Sequence, residues 1–499
     1  MRIHMIGHAS IFVETEDCNI LMDPVLFDPH AEGIEDVCPK REVIYDKIPE
    51  FDVLVISHRH LDHFDIHSLA SLPKNVDVFI PQDKLLKTCL SKLGYSNIYY
   101  LKDESEVKIG STHLLATRSE NRVPEYGMLF VDPSGVFWNQ VDSDISLKTI
   151  QFVKSRYPQV DFLLASWQPM LEMNFQDNEN LSFPYSSYNQ ELEKVSLIKP
   201  KAISPGANGF KFVNGSSWLN QIVFPVTREQ YCRDIQIVCP EVGKNVFALD
   251  PGDILDLQNG KFSYMPAKSQ FVKKLKDDRD ELYFSPVNLN NSLIDDNSHN
   301  YDLDEMKTVI ESEICTNLPR FIMENKDSLF IEHCRWQVIY QLEVVFPNHL
   351  SQWYFDFSEN TIQAKPGRHP LVNFRTTITA SSLYGFIKGI QGWDYAHLGG
   401  YYRSFKKIYV PTTHGIAQPH KTQIKEPLDL RFPYKDIFEK ARHHEIEQWG
   451  LENSDNSTSN QSKTMMIKIG NTLVRLAKTT SNKDKKETVA TVTSQLSSV

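Results

Sequence analysis

Ser57-His58-Arg59-His60-Leu61-Asp62-His63 follows directly on the apolar run Phe51-Asp52-Val53-Leu54-Val55-Ile56. The run reads as a buried strand, and the residues after it form a His-x-His-x-Asp-His cluster. His58 and His60 are two apart, so on an extended or tightly turning segment both rings face one side. Asp62 and His63 come after the turn and can serve a second metal, or hold a water over the first. Neutral imidazole suits zinc, iron and manganese, and the carboxylate adds charge that a cation offsets. A strand that ends this way holds a divalent metal and a water at the rim of a sheet. The competing reading of the same residues is a His-rich loop satisfied by water.

The chain has 499 residues, which suits two or three domains, and 41% of them are apolar, which supports real cores. A net charge of -11 argues against non-specific nucleic-acid binding, which needs a basic footprint. No apolar run is long enough to span a membrane. Met1 to His8 runs straight into strand-like sequence without the apolar core of a signal peptide. The seven cysteines are scattered, odd in number and without a C-x-x-C pair, which fits a reducing compartment, with the cytoplasm as the expected location.

Residues 1–265 alternate strand and helix patterns. Ile11 to Glu14 and Asn19 to Met22 read as a hairpin pair ending at Asp23-Pro24. Strands are also expected over 76–81, 112–117, 126–131, 160–165 and 201–205, and helices over 82–93 and 188–198. A polar stretch, Ser285 to Asp302, marks a boundary loop. Beyond it, Trp336 to Val345 and Gln352 to Phe357 read as two strands and Thr361 to Ala364 as a third. Ser381 to Gly389 and 434–449 read as helices. The expected division is 1–265 for a metal-binding domain, 266–302 for a linker, 303–450 for a smaller α+β domain and 451–499 for a disordered tail. Inside that tail, Met465 to Lys478 is a short basic amphipathic stretch, read as a frayed polar end.

Gly7-His8-Ala9-Ser10, then Ile20-Leu21-Met22-Asp23-Pro24, then Val53 to His63 together resemble the metallo-β-lactamase superfamily, in its branch of UlaG-type lactonases and N-acyl-phosphatidylethanolamine phospholipases. The resemblance implies an α/β fold, an αββα sandwich with the metal site at one edge of its two sheets. Trp138 to Asp142, the loop Ile198 to Phe210, Gly367-Arg368-His369-Pro370 and Gly392-Trp393-Asp394-Tyr395 resemble the CMP-N-acetylneuraminate hydroxylase family. That family also carries a Rieske iron–sulfur domain, whose paired Cys-x-His and Cys-x-x-His ligands are absent from this chain. Residues 336–403 resemble sterol-carrier-protein-2-like modules, which implies an apolar ligand cavity; a plain α+β packing domain is the alternative.

The superfamily has two further ligand histidines, but no histidine occurs between His113 and His299. By this resemblance, His58, His60 and Asp142 hold one metal with Glu120 as a fourth candidate ligand, and Asp62, His63 and Asp142 hold a second. His8, Asp23 and Asn208 stand behind the ligands and fix their orientation. The expected cofactor is one or two divalent ions of zinc, manganese or iron. The expected chemistry is hydrolysis of an ester, lactone, amide or phosphodiester in a small-molecule substrate, one that can carry an apolar part, with Asp62 orienting the attacking water or taking its proton. Two alternatives remain open: an iron oxygenase fed by a separate Rieske or ferredoxin partner, and a ligand-binding protein with a degenerate metal site.

Overall fold

The computed structural model describes residues 1–287, 293–450 and 465–476. In Val53–Val55 every residue is buried. The alternation of the strand explains why: Val53 and Val55 enter one core, Leu54 and Ile56 the other. A strand covered on both faces belongs inside a layered structure. Its sheet has eight strands, in the order Lys261–Met265, Ile254–Gln258, Arg2–Gly7, Ser10–Glu14, Asn19–Met22, Val53–Val55, Asp77–Ile80, Asn97–Tyr100.

A second eight-stranded sheet faces it. Its order is Ala202–Pro205, Phe162–Ala165, Gly135–Asn139, Tyr126–Asp132, Thr112–Arg118, Glu106–Ile109, Thr472–Leu476, Met465–Ile469. Ile11, Val13, Ile20 and Val55 from the first sheet pack with Leu114, Met128, Phe130 and Phe137 from the second. Helices cover both outer faces. Ile66–Ser71 starts at Asp65, whose carboxylate accepts the Ser68 N–H at 2.8 Å, and Lys84–Lys92 starts at Asp83, which accepts the Leu85 N–H at 2.8 Å. Leu147–Arg156 and Arg228–Val238, capped by Ser146 and Thr227, lie on the other side with Tyr185–Ile198. The layers are therefore αββα, as expected.

Parallel pairing fixes where loops gather. Met22 pairs with Val55, and Val55 with Phe79. Across the sandwich Asn139 pairs with Leu164, and Leu164 with Ser204. The segments after Met22, Val55, Asn139, Ala165 and Pro205 thus leave the two sheets at the carboxyl ends of their strands, where open α/β sheets place their ligands.

The later part of the chain builds a five-stranded sheet in the order Lys365–Pro366, Leu350–Asp356, Ile339–Val345, Phe374–Thr379, Tyr402–Lys406. The expected strand at 361–364 forms instead as a two-residue edge at Lys365–Pro366, because Pro366 has no N–H to extend it and Gly367 turns the chain at φ +93°. The expected helix runs over Ala380–Lys388, capped by Thr379 and closed by Gly389 at φ +70°. Tyr434–Gly450 leaves this unit to pack on Ile66–Ser71 and Lys84–Lys92 of the first layer.

Most of the expected disordered tail, 451–464 and 477–499, lies outside the described residues. The basic stretch within it is corrected from a frayed end to a hairpin. Ile467 pairs with Val474 across a Gly470-Asn471 turn, and Val474 lies in parallel register with Lys108. Arg475 then reaches Asp77 at 3.2 Å and Asp52 at 3.7 Å, with Asp77 fully buried. Removing one partner of a buried pair leaves the other charge exposed to the full desolvation cost. Arg475→Met is therefore expected to lose about 3 kcal/mol in urea unfolding.

His333 gives the fold an acid sensitivity. It is buried, its Nε2–H donates to the Lys425 carbonyl at 2.8 Å, and burial pushes its pKa down to about 4. The unfolded ring takes a proton below about pH 6.5 while the native ring stays neutral. Stability therefore falls as pH drops from about 6.5 towards 4, by at most about 1.4 kcal/mol per unit for this residue. His333→Phe should flatten that slope in urea midpoints compared at about pH 7 and about pH 5.

Candidate metal centre

Asp23 and Ser57 begin the loops after two adjacent parallel strands, so they lie side by side. The Asp23 carboxylate is fully buried and accepts the Ser57 N–H at 2.7 Å and the Ser57 Oγ–H at 2.6 Å. His63 returns to place its Nδ1 3.1 Å from the same carboxylate. The Ser57 hydroxyl also lies 2.9 Å from His58 Nδ1. These bonds hold both rings from behind and leave the Nε2 atoms facing forward. His8 is held in the same way, its Nδ1 accepting the Asn208 N–H at 3.1 Å.

The forward atoms converge. His58 Nε2 lies 3.7 Å from Asp142 Oδ2, and His63 Nε2 lies 3.5 Å from the same oxygen. Asp62 Oδ2 lies 3.3 Å from His63 Nε2 and 3.0 Å from His8 Nε2. Two donor groups result, His58–His63–Asp142 and His8–Asp62–His63, the ligand atoms of each within 4.8 Å of one another. His60 joins the first, its Nδ1 2.9 Å from His58 Nε2.

These residues fit a divalent metal. Two ligands at about 2.0–2.1 Å from one ion in adjacent positions come within about 3 Å of each other, which is the His58–His60 separation. Nε2 of His8, Nε2 of His63 and Oδ1 of Asp142 are buried without a hydrogen bond among the described residues. Such atoms cost about 1–3 kcal/mol each unless something satisfies them. Cations held by the two donor groups would lie beside these buried residues, His8 and His63 in one group and His63 and Asp142 in the other, and mixed imidazole and carboxylate donors suit zinc, manganese or iron.

The electrostatics agree. Burial drives the His58 pKa well below the usual value, giving the neutral ring that a metal needs. Burial opposes a charge on His63 too, but Asp62 and Asp142 outweigh it and hold His63 protonated. Burial would raise Asp62, yet His63 and His8 hold it well below the carboxylate range. Asp142 is lowered against its burial by His58 and His63. A metal would take the place of the proton they share.

The backbone is strained at the same point. His8, Asp23, Val141 and Asn208 have φ of 51°, 46°, 57° and 70°. For a β-branched valine this is an outlier, and each such residue costs on the order of 1–3 kcal/mol. Asp142 follows Val141, so the strain aims its carboxylate.

Of the expected residues, the structure brings together His58, His60, Asp62, His63 and Asp142, with Asp23 and Asn208 behind them. His8 moves forward from a supporting place to stand among the candidate ligands. Glu120 is corrected: it pairs with Arg118 at 3.1 Å on the surface. Glu125 lies inward instead. It accepts the Asn121 Nδ2–H at 2.7 Å and a bond from Ser119, and its Oε2 is buried without a partner. Burial and then the charge of Asp142 push its pKa up to about 7. Glu172 was not expected either. It follows the strand Phe162–Ala165, and burial, then Asp62, Glu35, Asp142 and Asp394, push its pKa up to about 8. The available signal was its position, in a loop at the carboxyl end of a parallel strand.

Residues 2–146 match the family model described as beta-lactamase superfamily domain. The curated relatives include a "Putative Rieske 2Fe-2S iron-sulfur protein" of Mycolicibacterium smegmatis, 23% identical over 185 residues that make up 34% of this chain and 36% of the relative. A protein of the same description from Mycobacterium tuberculosis is 22% identical over 185 residues, with the same 34% and 36% covered. The chain thus spans about a third of the length of these relatives. Among solved structures it is similar to an isothiocyanate hydrolase from Delia radicum gut bacteria, 14% identical over 52% of this chain and 100% of that one, with a TM-score of 0.39. It is also similar to CmlA, a diiron beta-hydroxylase from Streptomyces venezuelae, 17% identical over 53% of this chain and 54% of that one, with a TM-score of 0.38. No helix among the described residues is long and apolar enough to cross a membrane.

The two glutamates separate by measurement. Glu125→Gln is expected to weaken zinc affinity at least about tenfold in competition with a fluorescent chelator. Glu120→Gln should leave it within about twofold, because its partner is a surface arginine.

Proposed function

We propose that this chain is a metal-dependent hydrolase that acts on an ester, lactone, amide or phosphodiester. The observation that carries the reading is the convergence of two donor groups on the shared His63 Nε2, next to buried donor atoms without hydrogen bonds. A bound divalent ion supplies Lewis acidity and lowers the pKa of a coordinated water towards neutrality.

The chain's own residues divide the remaining work. His58, His60 and Asp142 would hold one ion and His8, Asp62 and His63 another, with Glu125 near enough to feel the charge of Asp142. Asp62 is held so far below the usual carboxylate range that it is a poor proton acceptor, and its role is to orient. Glu172 has the opposite property. With a pKa of about 8 its carboxyl carries a proton at neutral pH and can give it to a leaving group. Burial is the largest cause of that shift. Asp23 and Ser57 keep the imidazoles in one tautomer throughout.

A second reading, an iron oxygenase supplied with electrons by a separate protein, is supported by two points. The donor set combines histidines with carboxylates, the mixture that non-haem iron takes. The curated relatives that match this part of the chain bear the Rieske description.

The deciding experiment loads the protein with zinc, manganese or ferrous iron and assays p-nitrophenyl esters, lactones and bis-p-nitrophenyl phosphate, with oxygen uptake followed in parallel under a chemical reductant. Turnover with any of the three metals that falls at least about a hundredfold in His60→Ala supports the hydrolase. Glu172→Gln should then slow poor leaving groups more than good ones, by about 10²-fold or more. Reductant-dependent oxygen uptake without hydrolysis moves the assignment to the oxygenase.

A further inference from the structure

The segments that follow Asp23 and His63 run side by side. Asp23 and His63 face each other at 3.1 Å, and four residues further along each, Phe27 and His67 stack at 3.9 Å with their rings 16° apart. Between these two contacts the Leu26 N–H donates to the Ser68 hydroxyl at 2.8 Å. The His60 carbonyl accepts the His63 and Phe64 N–H groups at 3.0 and 2.8 Å, so the turn that bears the candidate ligands leads straight into the helix Ile66–Ser71. Wherever that helix sits, the backbone of His60 and His63 must follow.

The stack does not end at His67. Its other face is covered by Trp449 at 3.7 Å and 14°, from the far end of the helix Tyr434–Gly450. Phe438, Arg442, Ile446 and Trp449 follow one another at intervals of four, four and three residues, which puts them on one face of that helix. Phe438 and Ile446 enter the core that holds Ile66, Leu69, Leu86 and Leu90. Arg442, 3% exposed, pairs with Glu32, and both Glu32 oxygens also accept the Gly392 N–H at 3.1 Å. Ala31, Glu32 and Gly33 all have positive φ, which the first two hold only where their surroundings impose it. One helix face from the C-terminal unit thus grips two segments of the sandwich: the strained loop at Glu32, and the helix that issues from the metal loop.

We propose that the helix Tyr434–Gly450 is a clasp on the metal centre, with Trp449 as its positioning residue. Docked, it holds the Phe27–His67 stack, and with it the Asp23–His63 pair, in the geometry that binds the ion; undocked, the same ligands bind more weakly. Trp449 acts through His67 and the helix Ile66–Ser71, not by contact with the ion. Linkage then requires the converse: an ion that prefers the docked state must hold the helix down by the same factor. A helix that served the scaffold alone would add to global stability and leave both quantities unchanged. The inference rests on His63 being a metal ligand.

The test uses the full chain and cobalt(II). Amide hydrogen exchange is followed by mass spectrometry with and without saturating cobalt, and cobalt affinity is measured under chelator competition in wild type, Trp449→Ala and Trp449→Phe. In wild type, cobalt is expected to slow exchange over residues 434–449 at least about fivefold, while the helix Leu318–Glu324, which packs in the core of the C-terminal unit, changes by less than about twofold. Trp449→Ala should bind cobalt more weakly by a similar factor and lose the cobalt-dependent slowing. Trp449→Phe, which keeps a ring on His67, should recover both. Exchange over 434–449 that cobalt leaves unchanged, or slows no more than in Leu318–Glu324, would overturn the proposal. A folded Trp449→Ala that binds cobalt within about twofold of wild type would overturn it too. If that variant does not fold, exchange in the wild type decides alone. A wild-type protein that binds no cobalt would instead refute the metal centre itself, and this inference with it.

Discussion

The site depends on one buried carboxylate. Asp23 has no exposure and no cation of fixed charge beside it, so burial raises its pKa. It is tolerated because its oxygens are occupied: two bonds come from Ser57, and His63 Nδ1 stands against it. Its own carbonyl accepts the Ser10 hydroxyl at 2.6 Å, and that hydroxyl accepts the Val25 N–H at 2.9 Å. One residue thereby ties three strand ends together. Without it, the segment from Ser57 to His63 would be a polar loop with several rotamers for each ring. With it, two imidazoles are pinned from behind before any metal arrives, and the ordering cost is met during folding.

Pinning requires backbone conformations that side chains dislike. His8, Asp23, Val141 and Asn208 are all left-handed. Gly209 shows how closely the elements approach, since a Cβ there would come 3.3 Å from the His8 backbone. The sandwich can carry this strain because its cores are large and its helices well capped. Part of the support comes from far along the chain. The helix Tyr434–Gly450 covers the helices next to the metal loop, and Trp449 stacks on His67 at 3.7 Å while Phe27 stacks on the other face at 3.9 Å. His67 is thus stacked between aromatic rings.

Local chemistry was legible in the sequence, and chemistry assembled over distance was not. The cluster His58 to His63, the Gly7-His8 turn and the Met22-Asp23 strand end are each short, and strand alternation announces them. Asp142 follows a strand in the same way. Glu120 and Glu125 both stand in the polar loop after Thr112–Arg118, and nothing local ranks them. The choice is made by the return strand Tyr126–Asp132, which draws Glu125 under the sheet while Arg118 captures Glu120. Glu172 lies outside every motif, and what gives it meaning is the folding of a distant segment against the site. The hairpin Met465–Ile469 and Thr472–Leu476 was hidden for a similar reason: its pattern is short, and the edge it extends, Glu106–Ile109, is more than 300 residues earlier.

The charge balance shows what the pocket is built to hold. Asp62 and Asp142 are ionised, and Glu125, Glu172 and Glu35 are all raised by burial and by neighbouring carboxylates. Against them, His30 is held protonated between Asp28 and Glu35, with a pKa of about 10 that outweighs its burial, and His63 is held protonated by Asp62 and Asp142. Arg41 is engaged with Asp28 and the Ile6 and Val25 carbonyls, and Arg442 with Glu32. Within the cluster itself, protons stand where positive charge is needed. A proton on His63 satisfies one acceptor at a time, whereas its Nε2 faces two carboxylates. A divalent ion satisfies several donors at once and releases those protons. The His63 ring, with its Nε2 3.3 Å from Asp62 and 3.5 Å from Asp142, thus marks the point in the cluster where positive charge is favoured.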